Sequence, residues 1–241
     1  MHKLTEVIQN SMKPAWGEIE KDSVQRYTLQ EILPYIEEVS ASEIVFIRDA
    51  FSMNMELLEE GLQSSKTNFG PMLKKQNGGK LISDDENRTA QLLCNGAIEA
   101  RVLGIDKPAM SIAGSGVCGI ITTMPLFAYQ QIHRDEISAD KLLYATALSY
   151  LVTMHMMGQT EKNFEYCHCE IAAGIGMACG LCYLQGGKRE EVSKVIDSMM
   201  SNVRKMTFGE ENKGCVRTGI MLVDASFRVV ERIMRETIGE V

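Results

Sequence analysis

Tryptophan occurs once in the 241 residues, and aromatic residues together make up 6%. Methionine occurs 16 times. A core built from this chain is therefore aliphatic and methionine-rich, with side chains that adapt to irregular gaps. No long basic run is present and the net charge is −7, which argues against nucleic acid or an anionic membrane as partner. No stretch approaches the ~18 uninterrupted apolar residues of a membrane-spanning helix. Met1-His2-Lys3 leads into a charged amphipathic segment, not into a secretory leader. Polarity nowhere alternates with period two for long enough to build a sheet, and no repeat or low-complexity segment stands out. The seven cysteines are an odd number in a chain far too long to be a disulfide scaffold. They read as thiols of a reducing cytoplasm, free or metal-bound.

What is present is helical pattern. The chain is 45% hydrophobic, enough for one large domain or two small ones. Leu4, Val7 and Ile8 form an apolar stripe that Pro14 and Gly17 end, and Leu29, Ile32, Leu33, Tyr35 and Ile36 form the next. Ser40-Ala41-Ser42-Glu43 is a capping box, and a long helix is predicted after it through Ile44, Ile47, Phe51, Leu58 and Leu62. Asn54, beside that stripe, is read as a surface residue or a helix-to-helix hydrogen bond. Residues 64–82 are predicted to be a flexible loop. Ser83-Asp84-Asp85-Glu86 is a second capping box before a helix through Ala90, Leu93, Ala97 and Val102 that stops at Gly104. Further helices are predicted from Ser138 to about Gly158, from about Phe164 to Leu184, from Lys188 to Met206, and from Gly214-Cys215 onward. His155 lies on a core face and reads as a packed histidine. The expected fold class is all-α, a compact multi-helix domain over residues 41–241 with a helical extension at 1–40.

Two stretches carry the chemistry. Cys167-His168-Cys169-Glu170 opens a helix crowded with Ala172, Ala173, Gly174, Gly176, Ala178, Cys179, Gly180 and Cys182, and Cys215 follows one helix later. Small residues allow close approach of backbones, so the thiols either meet at a metal or simply line a tight core helix. Neighbouring residues point about 100° apart on a helix, so Cys167, His168 and Cys169 cannot all face one ion from a regular helix. Cys94, Cys179 and Cys182 read as core thiols. The second stretch is Ala113-Gly114-Ser115-Gly116-Val117-Cys118-Gly119, a glycine turn directly before an apolar helix. Such a turn exposes backbone N–H groups at the positive end of the helix and suits a carboxylate or phosphate. It is not a dinucleotide fingerprint, because no βαβ alternation surrounds it.

The glycine turn, the Cys167 segment with its Leu184-Gln185-Gly186-Gly187 end, Gly214-Cys215 and Met53-Asn54-Met55-Glu56 resemble the α half of L-cysteine desulfidases, related to the α subunit of iron–sulfur L-serine dehydratase. The similarity runs roughly over residues 43–236. It implies an all-helical domain in which cysteines bind a [4Fe–4S] cluster. An open iron then acts as Lewis acid in eliminating sulfide or water from an amino acid. By position it implies Cys167 and Cys215 as cluster or metal ligands, with Cys118 and Cys169 as further thiols at places the family does not use. It also implies Gly114, Ser115, Gly116 and Gly119 as the substrate carboxylate cradle, and Thr160 in the catalytic pocket. Four features depart from the family. Phe208 stands where a second cluster cysteine is expected, and Gly209 replaces an aspartate. Val117-Cys118 replaces a polar pair, and Met157-Gly158-Gln159 replaces polar residues before Thr160. The family's other half is absent, so a second subunit supplying it, within a homo- or hetero-oligomer, is expected. Two functional readings follow: an iron–sulfur lyase component acting on a small amino-acid-like carboxylate, or a non-catalytic carboxylate-binding or assembly module without a cluster.

Overall fold

A computed structural model of the chain describes residues 2–15, 27–160, 168–205 and 214–239. Its helices are α1 (Lys3–Ser11), α2 (Leu29–Glu38), α3 (Arg48–Gln63), α4 (Phe69–Gln76), α5 (Glu86–Val102), α6 (Gly116–Ile132), α7 (Ala139–Thr160), α8 (His168–Leu184), α9 (Arg189–Lys205) and α10 (Cys215–Ile238). The all-α class read from the sequence is the class observed. One small exception is a ribbon of β1 (Lys13–Ala15) and β2 (Ala109–Ser111), antiparallel with Pro14 opposite Met110. Three-residue strands are too short to show an alternating pattern.

α8 is the centre. From Glu170 to Cys182 every residue is buried, so the helix has no polar face and sits inside the domain. Its glycines are the contact points. Gly176 backs onto the Ser149 carbonyl and Thr153 of α7. Gly180 backs onto Leu126 of α6 and the Ala145 carbonyl of α7, and Gly174 onto Leu222 of α10. These pairings give the directions. Ala145 faces Gly180 while Thr153 faces Gly176, so α7 runs antiparallel to α8. Leu222 meets Gly174 while Met234 lies 3.9 Å from the Cys182 sulfur, so α10 runs parallel to α8.

The first forty residues pack on this body. Leu4 and Ile8 lie in the same hydrophobic cluster as α7 and α8, and the Thr5 hydroxyl is 2.7 Å from the Tyr35 hydroxyl. His155 is tied by its Nδ1 to the Tyr27 carbonyl at 2.7 Å, a packed histidine as its pattern predicts. Asn54 proves to be an interhelical anchor. Its amide donates to the Thr123 hydroxyl of α6 at 3.0 Å, and its oxygen accepts from Met110 N of β2 at 3.0 Å.

Three local expectations are revised. The Ser40 box forms, but it caps a 3-10 turn, and the α-helix begins only at Arg48. The cap of α5 is Asp85, whose carboxylate accepts from Arg88 N at 2.9 Å, while Ser83 turns its hydroxyl to Asn77. Residues 64–82 are not all loop, because α4 lies inside them. The Glu99 carboxylate of α5 accepts the Asn68, Phe69 and Gly70 N–H groups at 2.9, 2.9 and 2.7 Å. That satisfies the orphan donors at the start of α4 from 29 to 31 residues away in sequence. Glu99→Ala is therefore expected to cost about 3 kcal/mol, since three N–H groups lose a buried anionic partner. Glu99→Gln should cost less; urea denaturation of both variants measures the difference.

Candidate functional site

The site starts from a reversal of the chain. Ala113 and Gly114 adopt φ of 48° and 84°, both left-handed. Ile112 and Ser115 exchange backbone hydrogen bonds of 3.2 and 3.1 Å across them. This is a two-residue turn of the primed kind, which leads β2 into α6. Ser115 then caps α6, its hydroxyl accepting from Cys118 N at 3.2 Å. The positive end of α6 thus opens at Gly116 and Val117.

A cation stands beside it. The Arg101 Nε lies 3.1 Å from the place where a Gly116 side chain would begin. Among the described residues no carboxylate pairs with Arg101. Arg101 carries no motif, and only the turn of β2 back past the end of α5 brings it to the glycine turn. Gly119 has a different use from its neighbours. Its N–H donates to the Ser115 carbonyl at 3.1 Å, and its missing Cβ lets the Met110 carbonyl of β2 come close.

Cys118 is the third residue of α6 and fully buried, and Cys169 is the second residue of α8 and half-buried. Their thiols are neighbours, each perturbing the other. With Leu126 against Gly180 further along, this makes α6 parallel to α8. Cys215, half-buried, is the first residue of α10. Three parallel helices therefore begin at one end of the domain, each with a cysteine in its first turn. The neighbouring Cys169 thiol, with burial and the Glu170 charge, pushes the Cys118 thiol well up. The neighbouring Cys118 holds the Cys169 thiol below its ordinary value, against burial and the Glu170 charge. Cys169 should consequently alkylate before Cys118, Cys94, Cys179 and Cys182, and at lower pH than an ordinary thiol. Peptide mapping after brief iodoacetamide treatment of metal-free protein across pH 6–9 checks this.

The other thiols behave as core. Burial pushes Cys94 and Cys179 up, and Cys182 up to about 12. Cys167, Phe208 and Gly209 lie outside the described residues, as do the side chains of Thr160 and His168. Two neighbouring thiols are the start of a soft-metal or cluster site. Among the described residues no group of three His, Cys, Asp or Glu side chains is gathered closely enough to hold a metal ion. A complete set would have to draw on Cys167 or on Cys215 brought nearer.

Sequence reasoning assigned no role to Glu170, Asn95 and Thr218. Glu170 is 4% exposed, its Oε2 has no hydrogen-bond partner, and its charge is felt by Cys94, Cys118 and Cys169. Asn95 donates to the Gln91 oxygen at 2.5 Å, and Gln91 in turn donates to the Ile220 carbonyl and Asp224 of α10 at 3.1 and 2.9 Å. That chain of bonds seats α5 on α10 but leaves Asn95 Oδ1 and the Thr218 hydroxyl without partners. A groove of about 440 Å³ opens elsewhere, between α3 and the ribbon, lined by Met12, Met53, Asp49 and Glu56, and carries no thiol.

Fold and site together define an all-α domain whose glycine turn and thiols share the starting end of three parallel helices. Residues 3–207 match the model of the serine dehydratase alpha chain family, and the chain belongs to that family. It is 32% identical over 212 residues to a UPF0597 protein of Clostridium botulinum, covering 87% of this chain and 48% of the relative. A UPF0597 protein of Methanocella arvoryzae is 31% identical over 194 residues (80% and 45%), and one of Clostridioides difficile 31% over 189 residues (78% and 44%). The chain thus spans about half the length of the curated relatives it matches. No solved structure matches it. Among the described residues no helix is long and apolar enough to cross a membrane.

Proposed function

We propose that this chain is the α-type component of an iron–sulfur lyase. It would act on a small amino-acid-like carboxylate, together with a second chain that supplies the half the curated relatives have beyond this match. The observation that carries the reading is that three parallel helices start at one end, each with a cysteine in its first turn, and that the glycine turn leads into one of them.

In this reading three thiols, those of Cys167, Cys169 and Cys215, would hold a [4Fe–4S] cluster and leave one iron open, which when bound would supply Lewis acidity toward a β substituent. The chain's own residues do the rest. The N–H groups of Gly116 and Val117 and the Arg101 guanidinium bind the substrate carboxylate, through the helix dipole and a full charge. The left-handed turn at Ala113 and Gly114 aims those N–H groups, and Ser115 fixes the helix start. Gly119 brings β2 close behind it. Thr160, at the end of α7, is assigned to the pocket wall. Anaerobically prepared chain should be coloured and contain iron and acid-labile sulfide; absence of both would remove the lyase reading.

One observation favours a second reading. Cys118 is fully buried and its thiol is pushed well up, so without metal it stays protonated and the pocket is uncharged at that point. A non-catalytic carboxylate-binding module on the same scaffold would then be colourless and still bind small carboxylates.

A further inference from the structure

The groove of about 440 Å³ between α3 and the ribbon is lined by Met12, Met53, Met110 and Phe46, with Asp49 and Glu56 beside them. Asp49, Ser52, Met53 and Glu56 recur at three-to-four spacing, so α3 presents one continuous face to it. α3 carries the carboxylates of Asp49, Glu56, Glu59 and Glu60 against the single cation Arg48, and Arg48 reaches to Asp140 at 3.6 Å. Among the described residues no cation pairs with Asp49. Glu56 meets Lys107 at 3.7 Å, an exposed pair that holds neither partner firmly. Adaptable thioethers beside open carboxylates suit an apolar segment that also carries positive charge.

We infer that this groove receives an amphipathic helix of the second chain, its apolar face on the methionines and its lysine or arginine side chains toward Asp49 and Glu56. The inference rests on the two-chain reading proposed above and gives the partner a place and a chemistry. The match covers 48% of the Clostridium botulinum relative, so in that protein the shared half has a further half to pack against. The groove also adjoins the strand that carries the glycine turn. Met110 lines the groove, its carbonyl lies against Gly119, and the turn at Ala113 and Gly114 follows β2. A chain seated there would rest on the back of the proposed carboxylate cradle. A second copy of this chain fits worse, because its net charge of −7 would bring acid to acid. An added β-strand also fits worse, because Pro14 at the middle of β1 has no N–H to offer.

The test uses a labelled synthetic helix of leucine and lysine, with its leucines in one stripe, and a twin with glutamate for lysine. Fluorescence anisotropy with the full chain should show binding of the lysine helix only, weakening as salt rises. Reversing both groove charges, Asp49→Lys with Glu56→Lys, should weaken it at least about tenfold. Ser52→Trp, which fills the groove without changing charge, should do the same. Glu190→Lys with Glu231→Lys, the same charge change on exposed sites of α9 and α10, should leave it within about twofold of wild type. In methyl-labelled protein the signals of Met12, Met53 and Met110 should shift on binding. Equal binding of the two helices, equal losses in the groove and control variants, or shifts confined to other methionines overturn the inference. So does a dimer of the chain that dissociates in Ser52→Trp, since a second copy would then occupy the groove. Iron and sulfide in a chain that binds neither helix would leave the lyase reading standing and this inference fallen. Helix binding by a chain that never holds iron would do the reverse.

Discussion

Gly119→Ala is expected to cost roughly 3–5 kcal/mol and to leave little folded protein at 37 °C. A Cβ at Gly119 would run into the Met110 carbonyl and the Cα of Ser111. These are backbone atoms of β2, and β2 cannot yield. β1 pairs with it on one side, and Asn54 holds Met110 N from α3. A side-chain tip would swing aside at small cost; a strand held from two directions would not. Gly214 supplies the contrast. It precedes α10 with φ of −133°, and nothing lies within 4 Å of its missing side chain. Gly214→Ala should therefore cost only about 1 kcal/mol, the difference between glycine and alanine as the N-cap of α10. Thermal melts of the two variants beside wild type make the comparison.

Cys169→Ala is expected to lower the iron retained by anaerobically prepared chain by more than about tenfold, since even residues that only support a metal ligand are worth that much. Cys169 is the half-buried member of the thiol pair, and its partner Cys118 cannot replace it from full burial. Cys179→Ala, nine positions after Glu170 on the same helix, should leave the iron unchanged and cost only the small cavity it creates. Atomic absorption on both proteins decides. Equal iron in Cys169→Ala and wild type would exclude Cys169 as a ligand.

The helices were legible in the sequence because their evidence is local. Apolar spacing located α5 through α10, and Gly104 and Gly186, with φ of 68° and 92°, end α5 and α8 as glycines do. α4 was not legible, because the carboxylate that starts it is Glu99, contributed by the following helix. The ribbon escaped because each strand has three residues. The start of α3 slipped because a capping box marks a turn without saying whether 3-10 or α geometry follows. At the site, the glycine turn and the cysteines announced themselves by residue type. Glu170 stood in the motif beside Cys169, yet its burial without a partner is a property of the packed helices. Arg101, Asn95 and Thr218 belong to ordinary helical pattern, and only the directions of α5, α8 and α10 bring them to the thiol end.

The closeness of the Cys118 and Cys169 sulfurs, with the helix starts that create it, is tested most directly by a trivalent arsenical, which is held stably only where two thiols reach one arsenic atom. Metal-free chain should capture it at a single site formed by Cys118 and Cys169, with capture lost in Cys169→Ala and kept in Cys179→Ala. Capture that persists in Cys169→Ala, or no capture at all while the thiols titrate as free, would contradict the arrangement.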